Sequence, residues 1–230
     1  MTAGPAPADV VVAIDGPAGA GKTTVARALA ERLGLRHLDT GASYRAATLA
    51  LLRRGVPVGD PAAVARAAPG LALELRPAPG RPLVLRVWLD GALPAPAELR
   101  SAQVDAAVPA VSAVPALRDH LVALQRAAMA GGGIVAEGRD IGSVVWPDAQ
   151  VKVFLTAHPR ERARRRGAEQ GAGAGDALAE RDRLDATRAV SPVRPAPGAV
   201  VIDSTGRSAD GIVDELAGLV RGARERVGRP

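Results

Sequence analysis

A chain of 230 residues, 47% apolar and 23% charged, is long enough for one substantial core and has the profile of a soluble globular protein. It has no cysteine, which excludes disulfides, thiolate catalysis and cysteine-ligated zinc or iron–sulfur clusters. Its three histidines (His37, His120, His158) lack metal-ligand spacing, and its net charge of +6 suits an anionic partner, nucleotide phosphate or nucleic acid alike.

With one Tyr, one Phe and two Trp, the core must be built from Val, Leu, Ile and Ala. Residues 1–9 are Pro/Ala-rich without a basic region leading into an apolar run, so no signal peptide is read there. No apolar stretch reaches the roughly eighteen residues of a membrane span, and the expected location is cytoplasmic.

In chain order, Val10–Asp15 is a short β-rich apolar run, a buried strand. A Gly-rich loop follows at once. Lys22–Leu33 then carries helical spacing at Val25, Leu29 and Leu33, with Gly34 as its stop. Arg36–Leu38 is a second strand, and Thr40 is the expected cap of a helix running to about Arg54 and ended by Gly55. Asp60-Pro61 reads as the cap and first turn of another helix.

The pattern changes near Gly70. Leu71–Arg76 and Leu83–Leu89 alternate, with the turn cluster Pro77–Pro82 between them, and predict a β-hairpin with a possible third strand at Asp90–Leu93. From Val114–Met129 onward the alternation of helix and strand resumes. Ile134–Ala136, Val151–Leu155 and Ala199–Ile202 read as strands, and 159–170 and 208–220 as helices. Gly171–Gly175 reads as a flexible hinge and Gly222–Pro230 as a frayed tail. The expected fold is α/β: a five-stranded, mostly parallel sheet with helices on both faces. The core is expected at 10–69 and 109–221, with an inserted subdomain at 70–108.

The loop meets the pattern G-x-x-x-x-G-K-[ST] through Gly16, Gly21, Lys22 and Thr23. Its glycines let consecutive N–H groups face phosphate oxygens, and the helix behind adds its positive end. The expected ATP phosphate-binding residues are Gly16, Pro17, Ala18, Gly19, Ala20, Gly21, Lys22, Thr23 and Thr24. Lys22 can reach the β- and γ-phosphates, and the Thr23 hydroxyl can ligate Mg²⁺. Placement between strand and helix argues against a chance match, and nucleotide triphosphate binding follows. What is done with the nucleotide does not.

Three further segments stand out: Leu38-Asp39-Thr40-Gly41-Ala42-Ser43-Tyr44-Arg45, Glu137-Gly138-Arg139-Asp140-Ile141-Gly142, and Arg181-Asp182-Arg183-Leu184-Asp185-Ala186-Thr187-Arg188. Each alone also has a structural reading: a helix cap at Thr40, packing at Tyr44, a strand-end turn at Asp140, an i,i+4 surface pair at Arg181–Asp185. Together with the loop, in this order and separation, they resemble the bacterial cytidylate (CMP/dCMP) kinases across about residues 10–220. The resemblance implies a P-loop three-layer α/β/α fold with a small β-containing insert that binds the nucleoside monophosphate. It implies phosphoryl transfer from ATP to CMP or dCMP with Mg²⁺, by a monomer without nucleic-acid or membrane partners.

A monophosphate acceptor adds negative charge to an already polyanionic ATP, and Arg forks suit phosphate oxygens. The implied CMP-binding residues are Thr40, Tyr44, Arg45, Arg118, Arg139, Asp140, Arg181, Asp185 and Arg188. A carboxylate accepting from the cytosine amino group, with Arg donating to N3 and O2, would read the base. By resemblance Asp140 is that carboxylate, and Arg118 and Arg188 are the cationic donors. The Arg-rich run at 159–166 is a solvated or nucleic-acid-binding face, or by resemblance the start of a lid at about 159–185. Arg162 and Arg166, at i,i+4, would then close over the ATP phosphates as catalytic groups beside Lys22.

Pro109 stands where the family usually has a Ser thought to touch the base, with Ser112 a possible substitute, and Ser43 replaces an often apolar residue. The rival readings are a kinase for UMP, AMP or shikimate, and a regulatory NTPase that binds nucleic acid. The latter lacks a cluster of stacking aromatics.

Overall fold

The computed structural model describes residues 9–170 and 193–227. The chain divides into two compact units, one made of Met1–His37 with Gly131–Pro230, the other of Leu38–Ala130.

The first unit is built on β1 (Val11–Asp15), whose five residues VVAID are all buried. A strand buried on both faces reads as a continuous apolar run rather than an alternation. β1 pairs in parallel with β5 (Ile134–Gly138) in the register Val11↔Ile134 to Asp15↔Gly138, and with β6 (Val151–Thr156) through Val12↔Val151. β6 pairs in parallel with β7 (Val200–Asp203). β2 (Arg36–Asp39) enters this unit with Arg36, whose N–H donates to Gly133 O at 2.8 Å, so the strands run β2-β5-β1-β6-β7.

α1 (Lys22–Leu33) ends at Gly34, φ 64°, as the spacing predicts. Its Val25 and Leu29 share one apolar cluster with Ile14, Val153, Leu155 and Ile202, and with Ile212, Leu216 and Val220 of the last helix. That helix, Ala209–Val227, outruns the expected 208–220 and replaces the expected frayed tail up to Val227. Gly222 is tolerated within it because Val220 and Ala223 on either side are buried. After β5 the chain makes a single π-type turn, Ile141–Val145, in which Asp140 O accepts from Val144 N (2.8 Å) and Val145 N (3.2 Å). The Arg-rich helix spans Pro159–Gln170, as predicted.

The second unit begins with α2 (Thr40–Arg53). Its cap is Asp39, not Thr40. The Asp39 carboxylate accepts from Ala42 N at 3.2 Å, and Thr40 becomes the first helical residue. Asp60 caps α3 (Pro61–Ala67) as expected, accepting from Ala62 N at 2.9 Å.

The hairpin pairs β3 (Leu73–Ala78) with β4 (Arg81–Leu89) antiparallel, with Leu73 opposite Leu89. Its turn is shorter than the Pro77–Pro82 cluster suggests, because Gly80 at φ 68° allows a two-residue connection. Leu83, near the tip, is exposed, unlike Leu85, Val87 and Leu89. The third strand at Asp90–Leu93 is only an isolated bridge, Leu89↔Ala92. The five expected core strands and the two of the expected hairpin make up the seven strands found among the described residues.

α4 (Pro96–Leu99), α5 (Ala102–Val111) and α6 (Pro115–Met129) complete this unit. Val104, Val108, Val111, Leu117 and Leu121 join Leu51, Val64 and Val87 in a second cluster without a buried aromatic ring. α5 has no clear signal in the sequence because Pro109 lies inside it. Among the described residues no single helix is long and apolar enough to cross a membrane.

Candidate functional site

The phosphate loop leaves β1 at Gly16, whose φ of 150° and lack of a side chain are both required: a Cβ there would lie 2.0 Å from Leu155 O. Gly19 (φ 75°) and Gly21 (φ 89°) are also left-handed, and Gly21 caps α1 without any side-chain hydrogen bond. Gly21 thus places no capping side chain between the start of α1 and an anion. Lys22 is buried and donates from Nζ to Pro17 O at 2.7 Å, which folds its charge back over the loop. Thr24 is exposed on the first turn of α1.

Thr23 donates from Oγ1 to Glu137 Oε2 at 2.9 Å. Glu137, 3% exposed at the end of β5, has its other oxygen 3.1 Å from His37 Nε2. A hydroxyl that gives its proton to a carboxylate keeps both lone pairs for a cation. Hydroxyl and carboxylate oxygens side by side are the donor chemistry of a hard divalent ion.

Asp15, the last residue of β1, accepts from Ile141 N (2.7 Å) and Gly142 N (2.8 Å). It ties the strand end to the turn that carries Arg139 and Asp140. Burial pushes its carboxyl up to about 6, against the downward pull of the Gly142 and Ile141 amides; Asp140 adds to the rise and Lys22 opposes it. Asp140 is buried, and Arg139 points Nη1 toward Gly138 O at 3.4 Å.

Arg162, on the first turn of the Arg-rich helix, is buried too. It donates from Nε to Ala157 O (3.1 Å) and from Nη1 to the loop's Ala18 O (3.2 Å). From the segment after β7, Ser204 donates from Oγ to Ala20 O at 3.0 Å.

In the second unit Arg118 meets Tyr44, and Arg45 is held by α4 and α5. The Arg118 guanidinium stands 5.7 Å from the centroid of the Tyr44 ring, a cation–π distance. Arg45 forms an ion pair with Asp105 at 2.6 Å and donates to Leu99 O at 3.0 Å, so its fork is aimed by α4 and α5. Thr40 is buried. Ser112 turns its hydroxyl to Pro109 O at 3.1 Å. Arg181, Asp185, Arg188 and the hinge at Gly171–Gly175 lie outside the described residues, as does the Arg166 side chain.

Residues 12–222 match the family model described as cytidylate kinase. The chain belongs to the cytidylate kinase family. It is 50% identical over 224 residues to a cytidylate kinase of Mycobacterium avium strain 104, covering 93% of this chain and 96% of that one. It is 49% identical over 229 residues to a cytidylate kinase of Rhodococcus opacus strain B4, with 96% and 98% covered. A cytidylate kinase of Pelotomaculum thermopropionicum is 46% identical over 222 residues, with 93% and 96% covered.

Membership of this family accounts for the motifs but not for every polar contact around them. Asp15, His37, Glu137 and Ser204 surround the loop and its neighbouring turn, yet none was among the site residues expected from the sequence. Asp15 and Glu137 sit beside recognised motifs at the ends of buried strands, which is a usable signal. His37 and Ser204 carry none, since their partners are 100 and 184 residues away.

Proposed function

We propose that this chain transfers the terminal phosphoryl group of ATP to CMP or dCMP, giving ADP and CDP or dCDP. The observation that carries the donor half is the loop whose left-handed glycines lead into a helix start without a capping side chain, with Lys22 folded over it. The acceptor half is supported by membership of the cytidylate kinase family over residues 12–222.

The acceptor phosphate is already a nucleophile at neutral pH, so alignment and charge neutralisation suffice. Lys22 leaves Pro17 O for the phosphate oxygens, a short movement of a flexible stem. Arg162 adds positive charge from beneath the loop, and Arg166 from the same helix, which begins a lid at about 159–185 closing over ATP and excluding water. Thr23, backed by Glu137, fits Mg²⁺. Bound there, Mg²⁺ would neutralise phosphate charge.

Arg45, Arg118, Arg139 and Arg188 are proposed to hold the acceptor phosphate and base, with Asp140 accepting from the cytosine amino group. Arg181 and Asp185 are proposed to hold the sugar hydroxyls, and Thr40 and Tyr44 to line the same side. The 70–108 stretch is proposed to work as the monophosphate-binding insert, in a monomer with no nucleic-acid or membrane partner. A coupled ADP-release assay across CMP, dCMP, UMP, AMP and shikimate tests the whole reading. CMP or dCMP should give the highest kcat/KM, and higher values with UMP or AMP would overturn it.

A further inference from the structure

In a trans peptide the carbonyl and the following N–H point in opposite directions, so a group that holds a carbonyl from one side aims the next amide to the other. Three carbonyls of the phosphate loop are held this way: Pro17 O by Lys22, Ala18 O by Arg162 and Ala20 O by Ser204. Lys22 must let go to meet a nucleotide. Arg162 is itself proposed to add charge at the phosphates, whereas Ser204 carries none and acts on the peptide that leads into Gly21, the residue heading α1.

Ser204 is 2% exposed and is fixed from several directions. Its N–H donates to Thr156 O at 2.8 Å, which anchors it to the end of β6. Arg165 donates from Nη1 to Ser204 Oγ (3.0 Å) and from Nη2 to Ser204 O (2.9 Å). Arg165 is itself held by Glu161, whose Oε1 accepts from Nε at 2.8 Å. Hydrogen bonds from Arg164 and then Arg165 hold the Glu161 carboxyl down at about 2, so it stays ionised at any working pH. A guanidinium can only donate. The Ser204 hydroxyl must therefore accept from Arg165, and its single proton is committed to Ala20 O.

We propose that Ser204 is a positioning residue for ATP: its hydroxyl locks the Ala20–Gly21 peptide so that the Gly21 amide faces the phosphates. The inference rests on the reading of Gly16–Thr23 as the ATP site. Glycine at position 21 otherwise leaves this peptide free to rotate, because a left-handed glycine has no side chain to hold it.

The test uses the full chain and equilibrium titration with a fluorescent ATP analogue, together with KM values for ATP and CMP and a melting curve. Ser204→Ala should weaken binding of the ATP analogue and raise KM for ATP by about tenfold, the loss of one well-aligned hydrogen bond. KM for CMP should stay unchanged. Ser204→Thr keeps the hydroxyl and should restore ATP affinity to within about threefold of the wild type. Wild-type ATP affinity in Ser204→Ala overturns the proposal, as do equal losses for both nucleotides with a lowered melting temperature. If the wild-type chain itself fails to bind the analogue, the ATP reading falls and the inference with it.

Discussion

Asp15→Asn removes a charge that the fold holds at a cost. Asp15 is 3% exposed and its carboxyl is pushed from the ordinary 3.8 up to about 6, mainly by burial. A carboxyl raised in the folded state binds more protons there than when unfolded. Its contribution to stability is complete below about 3.8 and is lost as the pH rises through about 6. The gap between those values corresponds to about 3 kcal/mol between the fully protonated and fully ionised limits. Between about pH 5 and pH 8 the share lost is about 1.4 kcal/mol. Asparagine does not titrate, so the stability of the wild type relative to Asp15→Asn should fall by that amount over this range. Urea unfolding of both chains at several pH values measures the difference, and carbon NMR of labelled aspartate reads the carboxyl directly. A titration midpoint near 4, or a difference that is flat with pH, would refute the account of Asp15 as a desolvated carboxylate. In that event the two amides of Ile141 and Gly142 would be outweighing burial.

Lys22→Ala should lower turnover by roughly a hundredfold or more with an unchanged melting curve, read by ADP release; near-normal turnover would remove Lys22 from the chemistry. Asp140→Ala should raise KM for CMP by about tenfold or more and leave KM for ATP alone, because a charge-assisted hydrogen bond to the base is lost. Equal changes in both would make Asp140 a structural residue of the turn.

Local features were legible from the chain alone. α1 begins and ends where Lys22 and Gly34 predict because its signals, a loop glycine before and a left-handed glycine after, lie within the helix's own neighbourhood. Asp60-Pro61 worked for the same reason. At Asp39-Thr40 two good capping residues compete, and only the placement of Ala42 N against the Asp39 carboxylate decides between them. The last helix passes Gly222 because packing of Val220 and Ala223 overrides glycine's low helix propensity. Longer-range chemistry was less visible. The segment containing Glu137 was recognised as an acceptor-side motif, yet its first residue turns to Thr23 of the phosphate loop, because the parallel pairing of β1 with β5 sets the two strand ends side by side. Arg162 is a lid residue by resemblance, and the bonds of its guanidinium to Ala18 O and Ala157 O leave no sign in the sequence.

The glycines of this chain differ in what they leave open to evolutionary drift. Gly34 has a left-handed backbone but nothing within 4 Å of where a Cβ would stand, so an asparagine lineage could pass through that position at small cost. Gly16 has no such route. Both its dihedral and the Leu155 carbonyl 2.0 Å from the missing Cβ forbid every other residue, and relief would require β6 to move away from β1. Descendants of this sequence can therefore rewrite much of the surface of the first unit while position 16 stays frozen, and with it the spacing between β1 and the strand beside it.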